Sequence, residues 1–441
     1  MPRKDNNNIS PISAQTKLSI EGIAYGGKGI AKKDSKVYFV EQAVPGDVVI
    51  CKLNKDKPRF SEASVLTIET KSPLRTTSHC KYSDECGGCQ WQDIPYEQQL
   101  VWKKQFVQES LQKIARLESH QTIIVEPSPK IQGYRNRILL RGTIKPDGSI
   151  GVGYFKASTH EQMHISHCLI ASQPLNSFIE KISSHKTLAT PQKFRIELQE
   201  LPARSVNSTA SIFAIVTPAD GKTNSLKQLV DELQDFEEIL WIGLSYEAKE
   251  APVAIFEEDA LKYFTSPGQF LQVNTLHNHS LRNEIATIVD RLSPKVIADL
   301  YCGSGNLSLI LADGTRRIDG FEFNKIAIRN AKINTRENNL HNIRYHAYDA
   351  LQGFKRLVKS GGKPDLLIVD PPRKGMAEVT ATILEPGNEP NYIIYVSCDP
   401  TTLARDIKAL ADAYEMIEIK CFDFFPNTYH IETVCLLKKI N

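Results

Sequence analysis

The sequence lacks any run of about 18 apolar residues, the length that a membrane-spanning helix needs. It also lacks an apolar segment in its polar start, MPRKDNNNISPIS, so this start does not have the pattern of a secretory signal peptide. These two absences predict a cytoplasmic protein with no membrane partner. We interpret residues 1–13 as a disordered tail.

The formal net charge is low, at +3. A strongly basic tail or stripe would raise it, so charge alone is only a weak indication of a nucleic-acid partner. Hydrophobic residues make up 41% and charged residues 24% of the 441 residues, a globular composition at a length sufficient for two or three domains. Nine cysteines in a cytoplasmic setting favour metal binding or catalysis over disulfide bonds.

Residues 14–70 contain short strand-like runs broken by glycine and proline, with a Gly-Gly turn at Gly26 and Gly27. This pattern predicts a small β-barrel. Basic residues outnumber the local acids, which suits contact with nucleic acid and a solvated surface equally well. They are Lys28, Lys32, Lys33, Lys36, Lys52, Lys55, Lys57 and Arg59.

Residues 71–265 mix strand-like and helical patterns, and we interpret them as a central domain. A helix is predicted from Tyr96 to Leu117 because Val107, Leu111 and Ile114 fall on one face. The basic stretch of Arg135, Arg137 and Arg141 could contact phosphates of an RNA.

Residues 266–441 alternate apolar strand-like runs with helical segments, which predicts an α/β fold with a mostly parallel, doubly wound sheet. The segment Asp299–Asn306 ends a strand and is expected to open a helix, and its glycines at 303 and 305 allow close approach of a ligand. Glu322 and Asp349 follow the next two strands, where acids commonly bind ribose hydroxyls. A turn with two glycines fits S-adenosylmethionine better than NAD, although Glu322 could instead be an acid at a helix N-terminus.

Cys398 follows the buried run Tyr392–Val396, at the edge of the sheet where ligands bind. A lone cysteine is more often an inert buried thiol, but this position favours a nucleophile. A thiolate added to carbon 6 of uracil makes carbon 5 electron-rich enough to accept a methyl group, and a base must then remove the carbon-5 proton. Glu432, at the start of the last strand, is the candidate base. Asp370 precedes two prolines that fix its direction, and Arg373 stands where amine methyltransferases have an aromatic residue.

A loop with Cys80, Cys86 and Cys89 forms a compact ligand set, with Cys168 as a possible fourth ligand. Four thiolates could hold either zinc or an iron–sulfur cluster, and the spacing does not decide between them.

Over nearly its whole length the chain resembles the bacterial RNA uracil-5-methyltransferases, most closely the branch that acts on 23S ribosomal RNA. The resemblance is carried by EGIAYGGKGIAKKDSKVYFVEQAVPGDVV, CKYSDECGGCQWQ, FLQVN, DLYCGSGN, IVDPPRKG, SCDPTTLARD and HIETVCLL. It implies a Rossmann-like class I methyltransferase domain, an N-terminal OB-like RNA-binding barrel called TRAM, and a central α+β iron–sulfur domain.

By position, the resemblance implies Cys398 as the nucleophile and Glu432 as the base. It implies that a four-iron four-sulfur cluster is held by Cys80, Cys86, Cys89 and Cys168. It also implies contacts to S-adenosylmethionine from Gln272, Tyr301, Asn306, Glu322, Asp349 and Asp370. We expect a monomer that acts on 23S ribosomal RNA. The alternatives are an enzyme acting on the T-loop of transfer RNA, a ribosome-assembly factor whose methyltransferase domain is inactive, and a zinc-binding amine methyltransferase.

Overall fold

The computed structural model describes residues 15–117, 122–202, 211–221, 225–245, 247, 254–258 and 260–440. The predicted tail, residues 1–13, lies outside them. The described residues divide into two compact units. The first falls within 1–83, 89–106 and 427–429, and the second within 84–88, 107–426 and 430–441.

The first unit contains a six-stranded sheet in the order β1-β5-β6-β4-β3-β2. Its tight turns follow from backbone chemistry: Asp34 and Ser35 both have positive φ between β3 and β4, as a two-residue hairpin turn of type I′ requires. The strands are β1 (Gln15–Ser19), β2 (Gly22–Ile23), β3 (Gly29–Lys33), β4 (Lys36–Glu41), β5 (Val48–Asp56) and β6 (Phe60–Thr70).

The predicted OB-like barrel is only partly observed: the described strands form one six-stranded sheet, and no closed barrel is found, because their ladder begins at β1 and ends at β2. These two edge strands are consecutive pieces of one chain, separated only by Ile20 and Glu21, so they continue each other and do not pair. Ile20 bonds to the carbonyl of Asp47 and Glu21 to that of Ile30, which bends the chain from one edge to the other.

Helix α1 (Tyr96–Ser110) starts after Pro95 and continues as a π-helical turn, Leu111–Ala115. The left-handed Arg116, with φ 58°, ends it one residue before the predicted end. Its first part packs in the first unit, where Trp102 and Phe106 surround the fully buried Trp91. Val107 and Leu111 are fully buried in the second unit, as the helical spacing predicts.

The second unit contains a central, mostly antiparallel sheet in the order β10-β9-β8-β11-β12-β13, and α2 covers it with an apolar face. Its elements are β8 (Arg137–Ile144), β9 (Ile150–Phe155), β10 (Gln162–His164), α2 (Gln173–Ser184), β11 (Lys193–Glu200), β12 (Ile212–Pro218), α3 (Lys227–Leu233) and β13 (Ile239–Leu244).

An eight-stranded sheet in the order β18-β17-β16-β19-β20-β22-β21-β7 forms the rest of this unit. β16 to β20 are parallel and β22 runs antiparallel between β20 and β21, which confirms the predicted doubly wound sheet. The elements are β7 (Ile124–Glu126), α4 (Thr275–Leu292), β16 (Val296–Leu300), β17 (Arg317–Phe321), α5 (Lys325–Glu337), β18 (Ile343–His346), α6 (Ala350–Lys359), β19 (Leu366–Val369), α7 (Ala377–Ile383), β20 (Tyr392–Ser397), α8 (Pro400–Leu410), β21 (Tyr414–Phe422) and β22 (Glu432–Lys439).

Two local features differ from the sequence-based expectation. The segment after β16 forms turns and a short 3₁₀ helix, Leu309–Leu311, where an α-helix was expected; the turn around Gly314 stops it at once. A two-stranded hairpin, β14 (Ala254–Glu258) and β15 (Leu261–Thr265), precedes α4 and was not predicted.

Candidate active site

The glycine-rich turn after β16 needs glycine for geometric reasons. Gly305 has φ +92°, and a Cβ there would lie 2.3 Å from the Tyr345 hydroxyl. Gly303 and even Tyr301 also have positive φ. The side chain of Asn306 exchanges two hydrogen bonds of 3.0 Å with Asn278 of α4. The turn is therefore held open in one conformation.

This turn borders a pocket that is open to solvent and has an empty volume of about 670 Å³, open mouth included. Four of the six predicted cofactor contacts line it: Gln272, Tyr301, Asn306 and Asp370. The close backbone approach at the two glycines suits a ligand such as S-adenosylmethionine.

Glu322 and Asp349 do not line this pocket. They follow β17 and β18, at the same sheet edge as the turn. The Glu322 carboxylate accepts a hydrogen bond of 2.7 Å from the backbone N–H of Asn324, the N-cap of α5. This contact is the one expected of an acid at a helix N-terminus, the alternative interpretation of Glu322. Asp349 caps α6 through the backbone N–H of Gln352, at 2.9 Å.

Asp299, which sequence reasoning did not select as a site residue, lies fully buried at the end of β16. Its carboxylate has no hydrogen-bond partner within the described part of the chain. Burial raises the pKa of Asp299 to about 7, with smaller contributions from the charges of Asp370 and Glu322, while the nearby Ser308 opposes the rise. The only sequence signal is its place as the last acid before the glycine turn.

The ladder between β20 and β22 brings the predicted nucleophile and base together. Ser397 pairs with Thr433, whose hydroxyl donates to the Ser397 carbonyl at 2.9 Å. This pair is the last of the ladder: Cys398 follows β20 directly and Glu432 is the first residue of β22, and the charge of Glu432 acts on the Cys398 thiol. Glu432 is buried and Cys398 is half-buried.

The charges around the thiol oppose its ionisation. Burial raises the pKa of Cys398 to about 12; Glu432 and Asp370 add to this rise, and Arg373 opposes it. Cys398 also precedes the N-terminus of α8, where a helix dipole would lower a thiol pKa, but desolvation and the two acids outweigh that effect. Burial and Asp370 hold the pKa of Glu432 well above its usual range. Burial likewise raises the pKa of Asp370 to about 7. Without ligands the thiol is therefore neutral.

The loop carrying Asp370 and Arg373 is fixed by the buried Asp406 of α8. One oxygen of Asp406 accepts hydrogen bonds from the Met376 backbone, at 2.8 Å, and the Tyr395 hydroxyl, at 2.7 Å. A Cβ at residue 375, where φ is +75°, would lie 2.4 Å from that same oxygen, so glycine is required there.

The four cysteines of the predicted cluster are all half-buried and form no disulfide. Cys80 and Cys89 belong to the first unit, whereas Cys86 and Cys168 belong to the second. Within the second unit the Tyr154 hydroxyl donates to the Cys168 sulfur at 3.7 Å, and nearby Cys86 also helps raise the pKa of Tyr154. Among the described residues no three His, Cys, Asp or Glu side chains are grouped to hold a metal ion. The structure therefore gives the predicted cluster no support.

Several of the basic residues proposed for RNA contact have internal partners. Lys28, Lys36 and Lys55 pair with acids of the first unit. Arg137 pairs with Glu197, and Arg141 lies 4.8 Å from the ring of Phe155. The described residues include no ion pair for Lys32, Lys52, Lys57 or Arg59. In the described part of the chain, no helix combines the length and apolar character needed to span a bilayer.

Comparison with known proteins identifies the fold. The structure of the Pyrococcus abyssi tRNA (uracil-54, C5)-methyltransferase in complex with S-adenosyl-L-homocysteine is similar, with a TM-score of 0.67, 24% identity, and coverage of 96% of this chain and 99% of that one. The fold of this chain is that of an S-adenosylmethionine-dependent methyltransferase.

Sequence relatives then give the family. Residues 95–440 match the family described as tRNA (Uracil-5-)-methyltransferase, and residues 16–66 match the TRAM domain. An RNA methyltransferase of Aquifex aeolicus (strain VF5) is 32% identical, covering 96% of this chain and 98% of the relative. One of Clostridium tetani (strain Massachusetts / E88) is 29% identical over 95% of both chains. The chain belongs to the tRNA (uracil-5-)-methyltransferase family and is an RNA methyltransferase that uses S-adenosylmethionine.

Proposed function

We propose that this protein methylates carbon 5 of a uridine in 23S ribosomal RNA, with Cys398 as the nucleophile and Glu432 as the base. The main support is that Cys398 and Glu432 flank the last pair of the β20–β22 ladder, with the buried Glu432 acting electrostatically on the thiol. Gln272, Tyr301, Asn306 and Asp370 would contact S-adenosylmethionine in the pocket, and Glu322 and Asp349 would bind its adenosine part.

S-adenosylmethionine supplies the methyl group, on a positively charged sulfur. The Cys398 thiol first loses its proton to the pair formed by Asp370 and Glu432, whose raised pKa values suit them to accept it. The thiolate adds to carbon 6 of the uracil, and the electron pair of the 5,6 double bond moves into an enolate. Carbon 5 then takes the methyl group.

The second half of the reaction releases the product. Asp370 holds the proton taken from the thiol, so Glu432 is ionised and removes the proton from carbon 5. That electron pair restores the double bond, and the Cys398 thiolate leaves carbon 6 and takes back the proton held by Asp370. The proton on Glu432 then passes to solvent. The raised pKa makes Glu432 a stronger base than an ordinary exposed carboxylate. Asp370 and Arg373 lie on one fixed loop and have opposite effects on the thiol: Asp370 raises the pKa of Cys398 and Arg373 lowers it.

The mechanism is tested with RNA that carries 5-fluorouridine at the target, because fluorine at carbon 5 cannot be removed as a proton. We expect a covalent protein–RNA complex on a denaturing gel, with the RNA mapped by mass spectrometry to the peptide containing Cys398. A complex joined through another residue, or none, would refute the proposed nucleophile.

The choice of 23S ribosomal RNA rests on the resemblance to that branch and on the TRAM domain. Transfer RNA is the second candidate, favoured by the family description and by the substrate of the Pyrococcus abyssi enzyme. Labelled S-adenosylmethionine should be offered with each RNA, both prepared from cells that lack the enzyme. Methylation of transfer RNA alone would exclude the ribosomal assignment.

We also propose that Cys80, Cys86, Cys89 and Cys168 hold a four-iron four-sulfur cluster, as the resemblance to the ribosomal RNA branch implies. Its test is iron and acid-labile sulfide analysis after anaerobic purification. The variant Cys168→Ser should lose iron, and the matched Cys398→Ala should keep it. Stoichiometric zinc without sulfide would refute the cluster.

A further inference from the structure

Part of the pocket wall comes from the hairpin of β14 and β15. Phe256, Glu258 and Tyr263 of this hairpin line the pocket. Phe256 and Tyr263 face each other across the strands with their rings stacked, at a centroid distance of 5.3 Å and an angle of 11°. In the part of the wall that this hairpin forms, Glu258 therefore places a carboxylate beside two aromatic rings.

The hairpin is docked rigidly on α5. The backbone N–H of Phe264 donates to Asn334 at 2.6 Å, and Asn338 exchanges hydrogen bonds with both backbone groups of Lys262. The amide of Asn334 also donates to the carbonyl of Ser304 in the glycine-rich turn, at 3.1 Å. One side chain thus ties the hairpin to the cofactor turn.

Helix α4 positions Glu258 through the side chain of Arg282. The fully buried Arg282 lies with its Nη1 at 2.7 Å from Oε2 of Glu258, whose side chain is 16% exposed. A buried cation at this distance favours the ionised carboxylate. Asn278, four residues earlier and so one helical turn away, holds Asn306. Successive turns of one helix therefore position Asn306 and Glu258 at the same pocket.

The ligand has three parts, and two of them already have partners. Glu322 and Asp349, proposed for the adenosine part, lie outside this pocket wall, and Asp370 marks the reacting end because it acts on the Cys398 thiol. The remaining part is the amino-acid end, which carries a cationic ammonium group. An ionised carboxylate at the wall matches that charge.

We propose that Glu258 binds the α-ammonium group of the methionine part of S-adenosylmethionine; this assignment rests on the cofactor assignment of the proposed function. Glu258 is a cofactor-binding residue, and Arg282 is a positioning residue that acts through it.

The test is isothermal titration of the full-length enzyme with three ligands. S-adenosylhomocysteine has both the ammonium and the carboxylate group, its decarboxylated analogue keeps only the ammonium, and 5′-methylthioadenosine has neither. We expect Glu258→Gln to lower the affinity for the first two ligands by about tenfold or more, because a hydrogen bond between charged groups is lost. The affinity for 5′-methylthioadenosine should change by less than about twofold.

Two further variants serve as controls. Glu257→Gln changes the exposed neighbour on the opposite face of β14 and should leave all three affinities unchanged. Glu258→Asp keeps the charge and should restore part of the selective binding. Because all ligands are titrated into the same preparation, the ratio of affinities does not depend on the fraction of folded protein.

Equal weakening of all three ligands would mean that Glu258 only supports the pocket wall, and would overturn the proposal. So would unchanged binding, or weakening of S-adenosylhomocysteine without its decarboxylated analogue. If the wild-type enzyme bound none of the three, the cofactor assignment itself would fall. If the wild type binds them and Glu258→Gln shows no selectivity, only the role of Glu258 falls.

Discussion

At the scale of single residues, Cys398 and Glu432 have separable tasks. Cys398→Ala removes the sulfur that joins carbon 6, so we expect methylation to fall by several orders of magnitude while S-adenosylhomocysteine binding persists. Glu432→Gln leaves the thiol but removes the base, so a covalent protein–RNA complex should accumulate with unmodified RNA on a denaturing gel. Full turnover by Cys398→Ala, or release of product at the normal rate by Glu432→Gln, would contradict these roles.

Asp299 gives a residue-scale prediction for stability. Its pKa is raised from 3.8 to about 7 by burial, so the folded protein binds a proton that the unfolded chain has lost. The free energy of unfolding therefore falls with rising pH because of Asp299: its contribution to stability is present below about pH 4 and is lost as the pH rises towards 7. Asp299→Asn stays neutral, so its melting temperature relative to wild type should rise from pH 4 to 7 and then level off.

The size of this effect follows from the shift, which corresponds to at most about 4 kcal/mol in the free energy of unfolding. Thermal melts of the ligand-free protein between pH 4 and 8 would measure it. Asp313→Asn is the matched control: the pKa of Asp313 is lowered, so its contribution to stability is already complete above about pH 4. The difference in melting temperature between Asp313→Asn and wild type should therefore stay constant from pH 4 to 8. A constant difference between Asp299→Asn and wild type would contradict the prediction.

At the scale of elements, Asp406 connects α8 and β20 to the loop that carries Asp370 and Arg373. Asp406→Asn keeps the shape but replaces one oxygen by an NH2 group. It therefore loses either the acceptor that the Met376 N–H and the Tyr395 hydroxyl share or the acceptor for the Arg405 guanidinium, at a cost of about 1–3 kcal/mol for a buried group. We expect slower formation of the 5-fluorouridine complex and a lower melting temperature. Asp412→Asn, in an exposed position just beyond α8, should change neither.

The elements also show what local sequence can and cannot predict. The strand ends of the doubly wound sheet were predictable, because each apolar run stops at a polar residue such as Asp299, Asp370 or Cys398. The hairpin holding Glu258 was not, because its short strands gain their partners from α4 and α5, far along the chain. β7 was also missed, since three residues joining a sheet almost 300 residues later leave no local period.

The N-terminal sheet is a related case. Alternating short strands predicted a β-rich domain there, which is found, but they do not determine how the two edge strands meet. Here both edges, β1 and β2, belong to one bent segment around Ile20 and do not pair with each other. For the site, motif order predicted which residues lie at the sheet edge. It did not predict the charges, because burial raises the pKa values of both Glu432 and Asp370, and the charge of Asp370 adds to the rise at Glu432.

At the scale of the whole molecule, the low net charge of +3 requires that RNA attraction come from local groups. In the first unit, three lysines form ion pairs with neighbouring acids: Lys28, Lys36 and Lys55. Four other cations make no ion pair among the described residues: Lys32, Lys52, Lys57 and Arg59. Released counterions make phosphate contacts depend on salt, so the slope of affinity against salt measures how many cations engage the RNA.

We therefore predict that changing Lys52, Lys57 and Arg59 together to glutamine weakens RNA binding and lowers the salt slope by about one unit for each lost phosphate contact. Binding of S-adenosylhomocysteine should be unaffected, because these residues belong to the other unit. The control is Lys28→Gln with Lys36→Gln, which removes two cations that already have acidic partners and should lower the slope less. Equal slopes for the triple variant and wild type would show that the TRAM sheet does not bind the phosphates through these residues, and would leave the stretch of Arg135, Arg137 and Arg141 as the next candidate.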